Sequence, residues 1–266
     1  MGDFSGGLVS RRTSPLVSVV GVQAIGLAGV CLALLMVREP APAFGALLWA
    51  GMAGSAGVAG LAAFYRALAT GRMSLVAPIA AVIGSAIPAA IGIFAGDRLG
   101  LPQLAGIACA LLSVAVVSAV GRDGEARASG VPLAIVAGLG FAGFFLGIDL
   151  ADQVDPQASA WWLLLAVRLT AVSLALPVLL IWRPGTGWPT RAVLAVMIVA
   201  GLGDVGGNLF YIEAQANAPL SIAAVLSSLY PVTTILLARL FLGERLQRRQ
   251  LVGVTLAIAG LVLIAL

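Results

Sequence analysis

The sequence predicts an all-α fold: a polytopic membrane bundle of two inverted five-helix repeats, with the first helix of the first repeat truncated and nine full spans remaining. Three observations carry this expectation. Apolar residues make up 61% of the chain and charged residues 10%, against about 25% charged in an ordinary soluble domain, so the chain cannot clothe itself in a solvated surface. Nine stretches are long and apolar enough to cross a bilayer as helices, which takes about 20 residues. One passage is also written twice, over residues 62–120 and 208–266. Phe64-Tyr65 recurs as Phe210-Tyr211 at an offset of 146. Asp97-Arg98-Leu99 with Gln103-Leu104-Ala105-Gly106 recurs as Glu244-Arg245-Leu246 with Gln250-Leu251-Val252-Gly253 at an offset of 147.

In chain order the predicted spans are Ser14–Val37, Ala43–Thr70, Met73–Ala95, Leu101–Val120, Gly130–Ala151, Ser159–Trp182, Thr190–Ala214, Pro219–Leu242 and Arg248–Leu266. Their connections are short and punctuated by glycine, proline and charge, as in Arg38-Glu39-Pro40, Gly96-Asp97-Arg98 and Arg183-Pro184-Gly185. Trp161, Trp162, Trp182 and Trp188 stand at span ends, where an amphipathic ring anchors to the interface. Residues 121–129 read as the linker between a first repeat, 1–120, and a second, 130–266. Residues 130–266 hold five spans but 1–120 only four, and by position Met1-Gly2-Asp3-Phe4-Ser5-Gly6-Gly7 matches the second half of the span containing Phe141 to Gly147. Half a helix survives there, from a start set too far downstream or in a nine-span variant with a short interfacial N-terminal helix. A secretory signal fits poorly, because Asp3 occupies the place of a basic n-region and no apolar core precedes Arg11-Arg12.

Arginine placement orients the spans. With the remnant counted as a helix, one set of connections carries Arg11, Arg12, Arg66, Arg72, Arg122, Arg127, Arg183, Arg191, Arg239, Arg245, Arg248 and Arg249, and the opposite set only Arg38 and Arg98. The positive-inside rule places the first set in the cytoplasm. Asp149, Asp152 and Asp155 then lie outside. An odd number of helices per repeat turns the second copy upside down relative to the first, with Asp97-Arg98 outside and Glu244-Arg245 inside.

The unit of apolar helix, acidic-Arg-Leu turn, Gln-Leu-x-Gly and apolar final helix, present once per half, resembles the EamA family of the drug/metabolite transporter superfamily. Gly243-Glu244-Arg245-Leu246 followed by Gln250-Leu251, Gly253 and Gly260 is the closer copy. In the other, Asp97 replaces a glutamate and Ser113 a glycine. The resemblance covers essentially the whole chain. It implies a secondary transporter of small metabolites such as amino acids or drug-like solutes, often an exporter, in the plasma (inner) membrane, and does not name the solute.

Polar groups inside the membrane are costly and therefore candidate sites. Asp204, Asn208, Tyr211 and Gln215 are spaced by four, three and four residues, which stacks them on one helical face. That face reads as a polar wall of a cavity or as hydrogen bonding between helices. Arg168 and Asp204 each lie 14 residues from their ends of the turn joining adjacent spans, so both stand about 21 Å deep at 1.5 Å per residue. They can meet, as a structural ion pair or as an anchor for a solute carboxylate. Tyr65 and Tyr211 occupy equivalent positions and can face each other across the repeat axis, or pack as core. Ser227 and Tyr230 precede Pro231, which frees a backbone carbonyl that can help line a cavity, or merely kinks the helix. Gln23 is a lone polar residue that reads as packing, and so do Cys31 and Cys109. For proton coupling the candidates are Asp204 and Glu213.

The chain has no His and no Lys, which removes imidazole metal ligands, histidine acid/base chemistry and Schiff-base chemistry. No nucleotide-binding loop, metal cluster or activated nucleophile is apparent. No cofactor is expected, the arginines are explained by topology rather than nucleic acid, and the expected partners are a small solute and the lipid bilayer. A homodimer stays open. A non-transporting assembly subunit or an embedded enzyme is the alternative to transport. In a cysteine-free background, a cysteine at Ala126 should label from the cytoplasm and one at Gln157 from outside; labelling from the same face overturns this topology.

Overall fold

In the computed structural model the chain is described over residues 5–6, 9–10, 13–70, 73–118, 130–182, 190–227 and 248–265. Among these residues the fold is helical throughout: α1 (Pro15–Val37), α2 (Phe44–Thr70), α3 (Met73–Ala95), α4 (Leu101–Ser118), α5 (Val131–Val154), α6 (Ala160–Trp182), α7 (Arg191–Gln215), α8 (Leu220–Ser227) and α9 (Arg248–Ala265). Each begins within a residue or two of an expected span. Five of them, α1, α2, α5, α6 and α7, are long and apolar enough to cross a membrane. The outer surface is apolar: Leu35, Met36, Phe94, Phe210 and Trp182 are all exposed. Cys31 belongs to that exposed surface and Cys109 is half-buried, so only the second fits the expected packing role.

Local chemistry sets the helix ends. Ser14 Oγ accepts the Val17 N–H at 3.2 Å, with Pro15 at the first helical position, and Thr190 Oγ1 does the same for Val193 at 3.4 Å; both satisfy an otherwise orphaned donor. Helix α3 stops at Gly96, whose φ of 109° suits glycine alone. The next residue, Asp97, is the acidic residue of the repeated turn, and its Oδ2 accepts both the backbone N–H (3.1 Å) and the hydroxyl (2.6 Å) of Ser221. It caps α8, 124 residues further along the chain. A Cβ on Gly92 would run into this carboxylate. The repeated motif therefore ties a turn of one half to a helix start in the other.

Helix α2 packs along α5 and α6, α1 along α6 and α7, α3 along α5 and α8, and α4 pairs with α9. Small residues make these approaches close, as membrane helices require in the absence of a hydrophobic drive between them. A Cβ on Gly54 would stand 2.8 Å from the Val167 Cα, one on Gly201 2.9 Å from the Val22 carbonyl, and one on Gly260 2.9 Å from the Gly106 carbonyl. Gly260 and Gly106 are the motif glycines, so their role in this fold is the α4–α9 contact. Gly206 and Gly207 have open space around them and are not approached by a neighbouring backbone.

Two apolar tiers stack along the bundle. One gathers Val19 and Val22 of α1, Leu61 to Leu68 of α2, Ala134 and Ala137 of α5, and Ala171 and Ala175 of α6. The other gathers Val30, Ala46 to Ala53, Phe144 to Ala151, Leu163 to Val167, and Val205. Val9, in the N-terminal remnant, is buried against Val193 and Met197 of α7. Asp155 Oδ2 accepts the Ala43 N–H (2.8 Å), and Trp162 Nε1 donates to the Glu39 carbonyl (3.0 Å). These contacts gather the turns after α1 and α5 at the end expected to face outside.

The tightest seam yields a test. A Cβ on Gly140 of α5 would meet the Gly60 Cα at 2.5 Å and the Ala56 carbonyl at 2.7 Å, both rigid backbone, whereas one on Gly206 meets nothing within 4 Å. Gly140→Ala should cost about 1–3 kcal/mol by overpacking, and Gly206→Ala should stay within about 0.5 kcal/mol of wild type. Thermal unfolding of the two variants in detergent checks this, and equal midpoints would show that α2 and α5 are not in backbone contact.

Candidate functional site

Between the two apolar tiers lies a small polar cluster. Arg168, on α6, has Val167 of one tier on one side and Ala171 of the other a turn away. It is 1% exposed and, among the described residues, the largest fully buried side chain. Its Nη1 donates to Asp204 Oδ2 of α7 at 2.5 Å and also to Gln23 Oε1 of α1. Asp204 is 22% exposed, so the pair has one buried and one partly open member.

The pairing follows from local geometry. Helices α6 and α7 are antiparallel neighbours, and equal distances from their connecting turn bring residues 168 and 204 to one depth. Gly26 on α1 leaves room for the guanidinium, since a Cβ there would stand 3.4 Å from Arg168 Nε. An isolated charge at such depth costs several kcal/mol, about 2.5–3.5 on insertion scales, and a hydrogen-bonded partner offsets much of that. Two donors of Arg168, Nε and Nη2, are buried without a hydrogen-bond partner among the described residues, each an unmade bond of about 1–3 kcal/mol.

A cavity of about 60 Å³ opens beside this cluster. From the N-terminal half it is lined by Gln23 of α1 and by Gly54, Gly57, Val58 and Leu61 of α2; from the C-terminal half by Phe141 and Phe144 of α5, Val167, Arg168 and Ala171 of α6, and Asp204 and Asn208 of α7. Both halves contribute walls, but the charges come from one. The lining is mostly apolar with a few convergent polar groups, the usual composition of a small-molecule site.

The four-residue stripe on α7 divides. Asp204 and Asn208 line the cavity, while Tyr211 and Gln215 are buried in a separate network nearer the end of the bundle. Tyr211 Oη shares its one hydrogen between the Phe145 carbonyl (3.1 Å) and Gln215 Oε1 (3.3 Å), its ring centroid lies 4.4 Å from that of Phe145, and Gln215 Nε2 donates to Asp149 Oδ1 (2.6 Å). The helix turns this half of the stripe toward α5, whose backbone and carboxylate take its hydrogen bonds. Tyr211 is thus not in the cavity wall.

Tyr65 is also outside the cavity. It is buried in the opposite tier from Tyr211, in contact with Phe64, and a Cβ on Gly6 would overlap its hydroxyl. The two tyrosines do not meet, since each is packed in a different apolar tier. Ser227 is half-buried at the end of α8 and absent from the lining, Glu213 is exposed, and Tyr230 lies outside the described residues. Gln23, read from sequence as packing, is instead a ligand of Arg168. Its signal was present: an amide nine residues inside an apolar span is costly unless something deep in the bundle takes its hydrogen bonds.

Removing either charge strands the other. Arg168→Gln and Asp204→Asn should each destabilise the protein by about 3 kcal/mol, the usual cost of leaving an uncompensated buried charge, and the double variant should cost less than the sum. A double-mutant cycle on thermal unfolding measures this coupling. Strict additivity would mean that the two side chains do not interact.

The model of the EamA-like transporter family matches residues 128–266. A solved crystal structure of a protein superimposes with a TM-score of 0.73 at 17% identity, covering 98% of this chain and 94% of that one, which shows a shared fold over nearly the whole length. No curated protein matches the chain.

Proposed function

Because the chain belongs to the EamA-like transporter family and is built of apolar membrane helices, we propose that it is a secondary transporter that exports a small metabolite across the plasma (inner) membrane by alternating access. The observation that carries this reading is the cavity between the halves, with Arg168, Asp204 and Asn208 from residues 130–266 facing Gln23 and a glycine-lined wall from residues 1–120. Transporter sites commonly sit at mid-depth between inverted repeats. The solute binds there, and residues 121–129 join the two halves.

Contact topology supports the inverted repeat. The offset of 146 to 147 carries α1 onto α6, α2 onto α7, α3 onto α8 and α4 onto α9. Under that exchange the α1–α7 contact becomes α6–α2, and the α1–α6 and α4–α9 contacts map onto themselves; all four are present. The cap on α8 fits the same rule, since the offset that relates Asp97 to Glu244 also relates Ser74 to Ser221.

The coupling ion in this proposal is a proton carried by Asp204, the one carboxylate in the described cavity wall. Asp204 takes the proton only when its ion pair with Arg168 is open, so opening the pair links proton movement to solute movement. Glu213, exposed beyond the cavity, takes no part. Proteoliposomes loaded in turn with neutral amino acids, monocarboxylates, sugars or amines, with the same solute labelled outside, test the reading by counterflow. At least one class should exceed protein-free liposomes. In Asp204→Asn, counterflow should persist while accumulation driven by a pH gradient is lost. Baseline exchange for every class would overturn transport, and undiminished pH-driven accumulation in Asp204→Asn would remove this residue as the proton carrier.

A further inference from the structure

Helix α7 is held differently on the two sides of Gly206 and Gly207. Before them it is fixed to α1: a Cβ on Gly201 would stand 2.9 Å from the Val22 carbonyl, and one on Gly26 would stand 3.0 Å from Val205 Cγ2. Arg168 also holds Asp204 there. Beyond them, α7 reaches α5 through side chains, with Tyr211 Oη on the Phe145 carbonyl and Gln215 Nε2 on Asp149 Oδ1. The backbones of α5 and α7 come near each other at few points, so the hydrogen bonds and the contact between the Tyr211 and Phe145 rings hold this seam. It opens at the loss of two side-chain bonds, whereas α2 and α5 would have to give up backbone packing at Gly60 and Gly140.

Packing among the described residues does not call for the two glycines. A Cβ on either would meet nothing within 4 Å, and glycine inside a helix is less favourable than alanine. What a glycine pair gives a helix is freedom to bend. Its position is informative. Asp204 and Asn208, which line the cavity, flank the pair, and one turn further along α7 the Tyr211 ring packs 5.9 Å from that of Phe144, itself a cavity wall. Tyr211 and Gln215 therefore lie between the cavity and the end of the bundle that carries the α5–α6 turn. Resting on the transport reading above, we propose that residues 208–215 of α7 are a gate at that end, closed in this structure by the bonds of Tyr211 and Gln215 to α5 and opened by a bend at Gly206-Gly207. The Arg168–Asp204 pair is on the fixed side of the bend, so the gate moves without breaking it.

In a cysteine-free background, Asn208→Cys reports on the gate in sealed vesicles. The probe is membrane-impermeant trimethylammonium-ethyl methanethiosulfonate, added on the side from which Gln157→Cys, in the exposed α5–α6 turn, is labelled. Asn208→Cys should react far more slowly than Gln157→Cys. Adding Tyr211→Phe with Gln215→Leu, which keeps the ring and removes both bonds to α5, should raise its rate about tenfold or more. Adding Gly206→Ala with Gly207→Ala instead should lower the rate about tenfold while leaving thermal unfolding no earlier than in the parent. A purely structural role for these residues would shift unfolding and leave the rate, relative to Gln157→Cys, where it was. If the Tyr211 and Gln215 variant does not fold, the glycine pair decides alone. Equal rates at the two cysteines, a rate that does not rise when the bonds are lost, or a rate that the alanines leave unchanged each overturns the proposal. Failure of the gate is distinct from failure of transport: counterflow with an unmoved rate would leave a transporter gated elsewhere, and a gated rate without counterflow of any solute would remove transport and keep the gate.

Discussion

A guanidinium buried in the middle of an apolar bundle constrains the structure around it. Arg168 cannot lose its charge and is 1% exposed, so neighbouring helices have to supply acceptors at its depth. Two do. Asp204 arrives from α7 and Gln23 from α1, which fixes the rotation of both helices about their axes and the register of α1 against the α6–α7 pair. Every other polar group of the site is placed by that choice: once Asp204 faces inward, Asn208 lies one turn along the same face and reaches the cavity.

Small residues let the rest of the bundle meet this constraint. With Gly54 against Val167 and Gly201 against Val22, α2 and α1 approach α6 and α7 at backbone distance. Short acceptors then reach the arginine. The apolar tiers above and below are rich in alanine and valine, so they pack closely without wide side chains pushing the helices apart. The aromatic residues Phe141 and Phe144 come from α5 and close one side of the cavity. Larger residues on the glycine seams would separate the helices that carry the charges and leave the guanidinium unsatisfied.

The depth argument for Arg168 and Asp204 was legible because both helices leave the same short turn, so sequence distance converts directly into depth. The stripe on α7 was legible as a face and not as a site, since a face 11 residues long spans about 16 Å and can meet different neighbours at its two ends. Tyr211 and Gln215 meet α5 there and are absorbed by Phe145 and Asp149. Gln23 was underread for the opposite reason. A single amide carries no periodic signal, and its partner lies 145 residues away in the chain.

The amino-acid sequence by itself determined the helices, their ends and the doubled unit, because hydropathy over about 20 residues, capping side chains and an internal offset are all local or additive properties. It also determined which groups are costly in a membrane and hence where to look. Tertiary structure decided which costly groups share a cavity, that the acidic turn of one half caps a helix of the other, and that the motif glycines serve the α4–α9 contact. Those outcomes depend on the rotation and separation of helices far apart in the chain. That is set by backbone contact at glycine and by the direction of hydrogen bonds, and neither is written in any one segment.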